Sequence, residues 1–221
     1  MMKAPLKVLL VNGSPNPRGN TAIALAEVAK TLEAEGLAHE EFQLGRQPVR
    51  GCIACGGCRR DDSNGHCVFD DDPVNRLIDA AGKADAFVFG TPVYFGQPNG
   101  ALLAMIQRAL FAGGQHFRHK PFASVAVCRR GGATAAFETM NMAFQMCNMP
   151  QATSQYWNLV YGLAPGEAAL DIEGLQTMRT LARNLSWMLR CLHAPSAPAR
   201  TSDESKRPMN FIRPHNRIKE V

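Results

Sequence analysis

Residues 8–21, Val-Leu-Leu-Val-Asn-Gly-Ser-Pro-Asn-Pro-Arg-Gly-Asn-Thr, constrain the fold more than any other part of the chain. A short apolar run ends abruptly in a loop of Gly, Ser, Pro and Asn, and an amphipathic helix follows from about Thr21. A strand feeding a polar loop and a helix N-terminus outlines a phosphate site. First-turn N–H groups lack partners, and the helix dipole favours an anion there. The loop adds hydroxyls (Ser14, Thr21), an amide (Asn20) and a cation (Arg18). Gly13 and Gly19 stand six residues apart, so G-x-G-x-x-G is absent, and no G-K-[ST] follows. That argues against a dinucleotide fingerprint and against an NTPase loop. The competing reading is a polar turn with a glycine and an N-cap.

The rest of the chain alternates strand, loop and helix. A first strand is predicted over 6–12 and a helix over 20–36, with Leu25, Val28, Ala29 and Leu32 on one face and Gly36 as its stop. A weaker strand follows at 38–44, then an irregular segment at 48–70. Asp72-Pro73 predicts a helix start, with Asp72 as N-cap and Pro73 in the first helical position. Residues 86–90 and 122–128 are apolar strands. Leu102, Met105, Ile106 and Ala109 mark the helix between them, and further helices are predicted over 133–147 and 168–192. Ser154 to Gly162 is the best candidate for a fifth strand. Fully apolar strands alternating with helices mean a parallel sheet covered on both faces.

At 221 residues and 46% hydrophobic composition, the chain can bury one good core, expected over 1–193. The formal charge of +5 is concentrated in the proline-rich segment 194–221, where six basic residues face three acidic ones. The remainder carries only about +2, without a basic stripe, so nucleic acid is not an expected partner. Residues 194–221 read as a tail or arm that wraps over a partner subunit. No stretch approaches a membrane span, and Val8 to Val11 is too short for a signal-peptide core, so a cytoplasmic location is expected. The seven cysteines are an odd number, which argues against a disulfide framework, and four of them crowd into sixteen residues.

In an open parallel sheet, ligands sit beyond the carboxyl ends of the strands, where strand order reverses. After the 86–90 strand comes Thr91-Pro92-Val93-Tyr94-Phe95-Gly96-Gln97-Pro98-Asn99-Gly100, too rich in Pro and Gly for strand or helix and therefore expected as a rigid loop. The rings of Tyr94 and Phe95 either face a flat ligand or plug the core beneath the loop. After the 122–128 strand comes Arg129-Arg130-Gly131-Gly132-Ala133-Thr134, with glycines and amides at a helix start. Together the three loops offer an anion site at one end and a planar heterocycle site at the other, as a mononucleotide such as FMN requires.

Residues 12–21 and Thr-Pro-Val-Tyr-Phe-Gly (91–96) resemble the paired motifs of the flavodoxin-like NAD(P)H-dependent FMN reductases, and the similarity extends over about 6–192. The resemblance implies a flavodoxin-like, doubly wound, five-stranded parallel sheet of order 2-1-3-4-5, with helices on both faces, and a homodimer or homotetramer. It implies that Ser14, Arg18, Gly19, Asn20 and Thr21 hold the FMN phosphate. Pro92, Val93, Tyr94, Phe95 and Gly96 would flank the isoalloxazine, with Gly131 and Gly132 completing the pocket. NADH or NADPH would be the co-substrate, and electrons would pass to a small acceptor such as a flavin, a quinone, an azo or nitro compound, or an iron complex. The chemistry would be the flavin's, so no catalytic side chain is required. His66, His116 and His119 read as exposed loop residues, and Asp70, Asp71 and Asp72 as a helix N-terminal charge cluster.

Cys52-x2-Cys55-x2-Cys58-x8-Cys67 resembles the compact motif of the iron–sulfur flavoproteins, a branch of the same superfamily, although its last gap is longer than usual there. Thiolates at this spacing on a Gly-rich loop suit a [4Fe–4S] cluster or zinc, and free thiols are the third reading. With a cluster, the chain would be an electron carrier. A redox or metal sensor with a structural flavin is a further alternative.

Overall fold

The structure, a computed structural model, describes residues 5–201 and 204. Five parallel strands form its centre: β1 (Lys7–Asn12), β2 (Ala38–Gln43), β3 (Ala86–Tyr94), β5 (Phe122–Cys128) and β6 (Leu159–Tyr161). A two-residue arm, β4 (Gln97–Pro98), pairs antiparallel with the end of β3. The sheet order is β2-β1-β3-β5-β6, which is the expected 2-1-3-4-5 once that arm is set aside. Crossovers are made by α1 (Asn20–Ala34), α2 (Val74–Gly82), α3 (Gly100–Gly113) and α4 (Ala133–Gln145), and α5 (Ile172–Leu192) follows the last strand and packs back on the sheet.

Alternation along each strand splits the core in two. Val8, Leu10, Val88 and Val125 face Val28 and Leu32 of α1 and Leu181 and Leu185 of α5. Leu9, Val11, Phe87 and Phe89 face the other way, toward α2, α3 and α4. Both layers are solvent-free, which is why the strands read as unbroken apolar runs.

Four boundaries differ from expectation. Residues 91–98 are a β-hairpin, not an irregular loop. β3 runs on to Tyr94 because β5 pairs with it as far as Pro92 opposite Val127. Gly90 turns its carbonyl to the Gly13 N–H. Pro92, two residues on, faces the same side, where β1 has already ended, so its missing N–H leaves no ladder bond unmade. Phe95 (φ 51°) and Gly96 (φ 76°) then reverse the chain, with positive φ at both central residues as tight hairpins require.

The last strand is confined to β6, because Ser154 Oγ bonds Tyr156 O and Asn158 Oδ1 and turns the chain before it. Tyr156 and Trp157 are left exposed in that turn. The last helix begins at Ile172 rather than 168. Glu167–Leu170 is a separate 3-10 turn, and Asp171 caps α5 by accepting from Gly174 N. At the start of α2, Pro73 occupies the capping position and Asp72 is turned inward, for a reason that lies in the cysteine segment. Of the expected tail, residues 202, 203 and 205–221 lie outside the described residues.

Candidate functional site

A cleft of about 320 Å³ opens beyond the carboxyl ends of β1, β3 and β5. Ser14, Gly19, Asn20 and Thr21 form one wall, and Pro92, Val93 and Tyr94 form the opposite one. The end of β5 (Val127, Cys128, Arg129) and the turn after β6 (Gly162, Leu163, Pro165) close the floor. The first and second sequence motifs, some seventy residues apart, are thus brought together.

The first loop is wound by a chain of side chains, each reaching two residues on. Asn12 Oδ1 accepts from Ser14 N at 3.0 Å, Ser14 Oγ from Asn16 N at 3.1 Å, and Asn16 Oδ1 from Arg18 N at 3.1 Å. Such local bonds hold a tight turn without regular secondary structure. From outside, Gln43 donates to Ser14 O at 2.6 Å and Asn99 Nδ2 donates to Gly13 O at 2.8 Å. Gly13 has no room for a side chain: a Cβ there would lie 2.3 Å from Leu102 Cδ2 and 2.8 Å from Gly90 O. The loop delivers Gly19 to the N-terminus of α1, where no side chain caps the first turn and no acidic residue sits. The first-turn N–H groups therefore remain available to an anion.

The individual residues take different positions in this frame. Ser14 and Thr21 are buried in the cleft wall. Arg18 is exposed, and its side chain does not line the cleft. The Asn20 amide is engaged elsewhere: it donates to Ala164 O at 3.0 Å and accepts from Gly166 N and Ala168 N, each at 3.1 Å. Asn20 thus pins the turn after β6 to α1. Gly162 is part of the same contact, since a Cβ on it would meet Asn20 Nδ2 at 2.9 Å.

At the other end, Tyr94 is half-exposed and Phe95 stands fully exposed at the hairpin tip, so neither plugs the core. Gly96 and Gly132 touch. Gly132 has φ 85°, and a Cβ on it would lie 2.7 Å from Gly96 Cα, so the hairpin seats directly on the start of α4. Gly131 is exposed beside it. Cys128 lies under this junction; burial pushes its thiol up, although the backbone N–H groups of Arg130 and Ala133 donate to it.

A second site lies in the 50–72 segment. Cys52, Cys55, Cys58 and Cys67 line one small pocket, with Phe111 and Arg108 of α3 behind them. Cys52 and Cys55 are exposed and Cys58 and Cys67 partly buried. Burial raises the Cys58 pKa, and the neighbouring thiols of Cys67, Cys52 and Cys55 raise it further. Among the described residues, no three His, Cys, Asp or Glu side chains converge closely enough to hold a metal ion. Sequence reasoning missed what anchors this segment. Asn75 clasps Cys67 by accepting from its N–H at 2.8 Å and donating to its carbonyl at 2.9 Å. Arg108 forms a buried ion pair with Asp72, which is why that carboxylate is not simply a helix cap. Burial alone would lower the Arg108 pKa, but hydrogen bonds to Asp72 and Cys67 outweigh it and hold it above its ordinary value. Of the other acids in the expected charge cluster, Asp71 pairs with Arg50 at the surface.

A doubly wound parallel sheet whose cleft joins an uncapped helix N-terminus to an aromatic hairpin is that of a flavodoxin-like protein. Solved structures agree on the fold. An NAD(P)H:quinone oxidoreductase from Methanothermobacter marburgensis matches with TM-score 0.57 at 18% identity, over 82% of this chain and 100% of that one. A flavodoxin from the domain Archaea matches with TM-score 0.57 at 12% identity, over 84% of this chain and 99% of that one.

The chain belongs to the NADPH-dependent FMN reductase family, whose family model matches residues 6–163. It is accordingly an FMN-dependent oxidoreductase. Among its relatives, an iron-sulfur flavoprotein of Methanocaldococcus jannaschii is 29% identical over 195 residues, covering 85% of this chain and 99% of that protein. One from Archaeoglobus fulgidus is 34% identical over 135 residues, covering 59% of this chain and 64% of that protein. Among the described residues, no helix is long and apolar enough to cross a membrane.

Proposed function

We propose that this oxidoreductase is an iron–sulfur flavoprotein, in which Cys52, Cys55, Cys58 and Cys67 hold a [4Fe–4S] cluster and electrons pass between it and FMN. The observation that carries this reading is that all four thiols line one pocket beside a buried guanidinium. Four sulfur donors match a cluster in number and softness. The names of several relatives support the same reading. Bound FMN supplies both two-electron and one-electron chemistry, and a four-thiolate cluster supplies single-electron storage.

The protein's own residues have limited tasks. First-turn N–H groups of Asn20 and Thr21, with the Ser14 and Thr21 hydroxyls, would hold the phosphate. Pro92, Val93 and Tyr94 would position the ring from one side, and the Gly96–Gly132 contact sets how far the hairpin can approach it. Arg18, Phe95 and Gly131 stand outside the cleft wall and would act only if the ligand or a second subunit reached them. Helix α3 links the two sites: its N-cap Asn99 holds the first loop, and Arg108 lies roughly 13 Å further along the helix axis, against Cys67.

A second reading is a cluster-free reductase that takes hydride from NADH or NADPH and passes electrons to a small acceptor. The cleft lined by Tyr94, and the lack among the described residues of three side chains close enough to share one metal ion, favour it. One experiment separates the two: anaerobic NADH and NADPH titration of freshly purified protein, with iron, sulfide and zinc analysis on the same sample. About four irons and four sulfides per chain, lost when any one of the four cysteines becomes serine, support the iron–sulfur reading. Yellow, iron-free protein that NAD(P)H bleaches rapidly supports the reductase alone.

A further inference from the structure

Arg108 is 1% exposed and the largest fully buried side chain among the described residues, on a helix whose inner face also carries Leu102, Met105, Ile106 and Ala109. Among the described residues, the hydrogen-bond partners of its guanidinium all belong to the cysteine segment. Nη1 donates to the Asp72 carboxylate and to Arg50 O at 3.2 Å. Nη2 donates to Phe69 O at 3.3 Å and to Cys67 Sγ at 3.2 Å, and Nε donates to the same sulfur at 3.4 Å. The Phe69 ring lies 5.3 Å from the guanidinium carbon.

Two of five N–H donors on a buried cation are therefore aimed at one sulfur. A neutral thiol is a weak acceptor and returns little for the desolvation of those donors. Sulfur that carries negative charge, as it does when bound to metal, makes the contact a strong charge-assisted hydrogen bond. Among the described residues, none of the other three cysteine sulfurs accepts from an arginine, and Asp72 holds the guanidinium in place from the opposite side.

We propose that Arg108 is a positioning residue that fixes Cys67 as the anchored ligand and raises the reduction potential of a cluster bound at the four cysteines; this rests on the iron–sulfur reading above. Reduction of such a cluster, by one electron from the reduced flavin, would make it one unit more negative. The guanidinium stays protonated throughout, so no proton accompanies it, and a fixed cation with N–H···S bonds favours the more negative, reduced form.

The test uses full-length protein reconstituted anaerobically with ferrous iron and sulfide. Wild type is compared with Arg108→Lys, which keeps the charge but loses the fork, and with Asp72→Asn/Arg108→Gln, which removes both buried charges and leaves neither unpaired. Cluster potential is read by a spectroscopic redox titration, with the flavin potential of the same sample as internal control. In the double variant the one-electron equilibrium should shift at least tenfold toward the oxidised cluster, about 59 mV. Arg108→Lys should fall between, and the flavin potential should not move. Faster loss of iron to a chelator from a folded, FMN-loaded double variant supports the anchoring of Cys67. A clustered wild type whose potential and iron retention equal those of both variants overturns this proposal alone. A wild type that takes up no iron and sulfide overturns the iron–sulfur reading and this proposal with it.

Discussion

Asn99 Nδ2 donates to the Gly13 carbonyl across 86 residues of sequence, at 2.8 Å, and so ties the phosphate-type loop to the start of α3. The same residue accepts one further bond and donates another. Ala101 N donates to its Oδ1 at 3.0 Å, capping the helix, and its own N–H donates to Thr91 Oγ1 at 3.0 Å, holding the hairpin. One buried residue, through its side chain and its backbone N–H, thus sets the spacing between the two walls of the cleft.

Of these three bonds, Asn99→Ala keeps the one from the backbone N–H. Loss of the cap and of a buried partner for Gly13 O should lower stability by about 1–3 kcal/mol. FMN affinity should fall as well, because the first loop loses its outer support. Urea unfolding and FMN titration measure the two effects, and unchanged FMN affinity would contradict the tie.

Gly132→Ala and Gly131→Ala make a matched pair. A side chain at Gly132 meets both a positive φ and a contact of 2.7 Å with Gly96 Cα, whereas a Cβ on Gly131 meets nothing within 4 Å. The backbone strain costs about 1–2 kcal/mol, and the hairpin must also move. FMN affinity should drop roughly tenfold or more for Gly132→Ala, equivalent to about 1.4 kcal/mol, and stay near wild type for Gly131→Ala. Equal affinities would show that the hairpin does not flank the ring.

Asn20→Ala and Asn20→Asp distinguish the structural role of that amide from contact with phosphate. Alanine loses three bonds to the 164–168 turn, whereas aspartate keeps the two acceptor bonds from Gly166 and Ala168. A carboxylate in the first turn is also favourable to the helix, by about 0.3–1 kcal/mol. Apo protein with Asn20→Asp should therefore melt no lower than Asn20→Ala, yet bind FMN less tightly, since its charge repels the phosphate. Thermal melts and FMN titrations report the two orders separately.

Lys120 offers a pH test. Burial lowers the pKa of its ammonium, with Asp85 opposing, and Nζ donates to Ala81 O at 2.8 Å. The unfolded chain binds that proton more tightly than the folded one, so folded-state stability rises as pH climbs toward the ordinary lysine value of about 10.4. At lower pH both states hold the proton and the penalty is constant. In Lys120→Met the rise should disappear, even though total stability also changes through the lost bond to Ala81. Urea midpoints across the alkaline range measure the slope; equal slopes in both proteins would contradict the assignment.

Much of the cleft is legible locally. Val8 to Val11 followed by Gly13, Pro15 and Gly19 encodes a strand, a turn and a helix start within fourteen residues, and the structure places all three there. The hairpin over 91–98 was not legible, because its strand character comes from pairing with Val127 and not from its Pro- and Gly-rich composition. Nor was the role of the Asn20 amide, whose partners lie more than 140 residues away. Residues 48–70 read as an irregular loop, and the helical structure they contain is two short 3-10 turns, Gly57–Arg59 and Asp61–Ser63.

The sequence by itself determined the class of fold, since apolar periodicity and turn residues act over a few neighbours and survive without tertiary context. It also located the two motifs that line the cleft and the four cysteines, because their spacing is a property of the chain alone. Only the tertiary structure decided which of those groups remain free for a ligand. Asp72, Arg108 and Cys67 meet across 36 and 41 residues because α3 packs its inner face behind the cysteine segment, where a desolvated charge must find its partners in space.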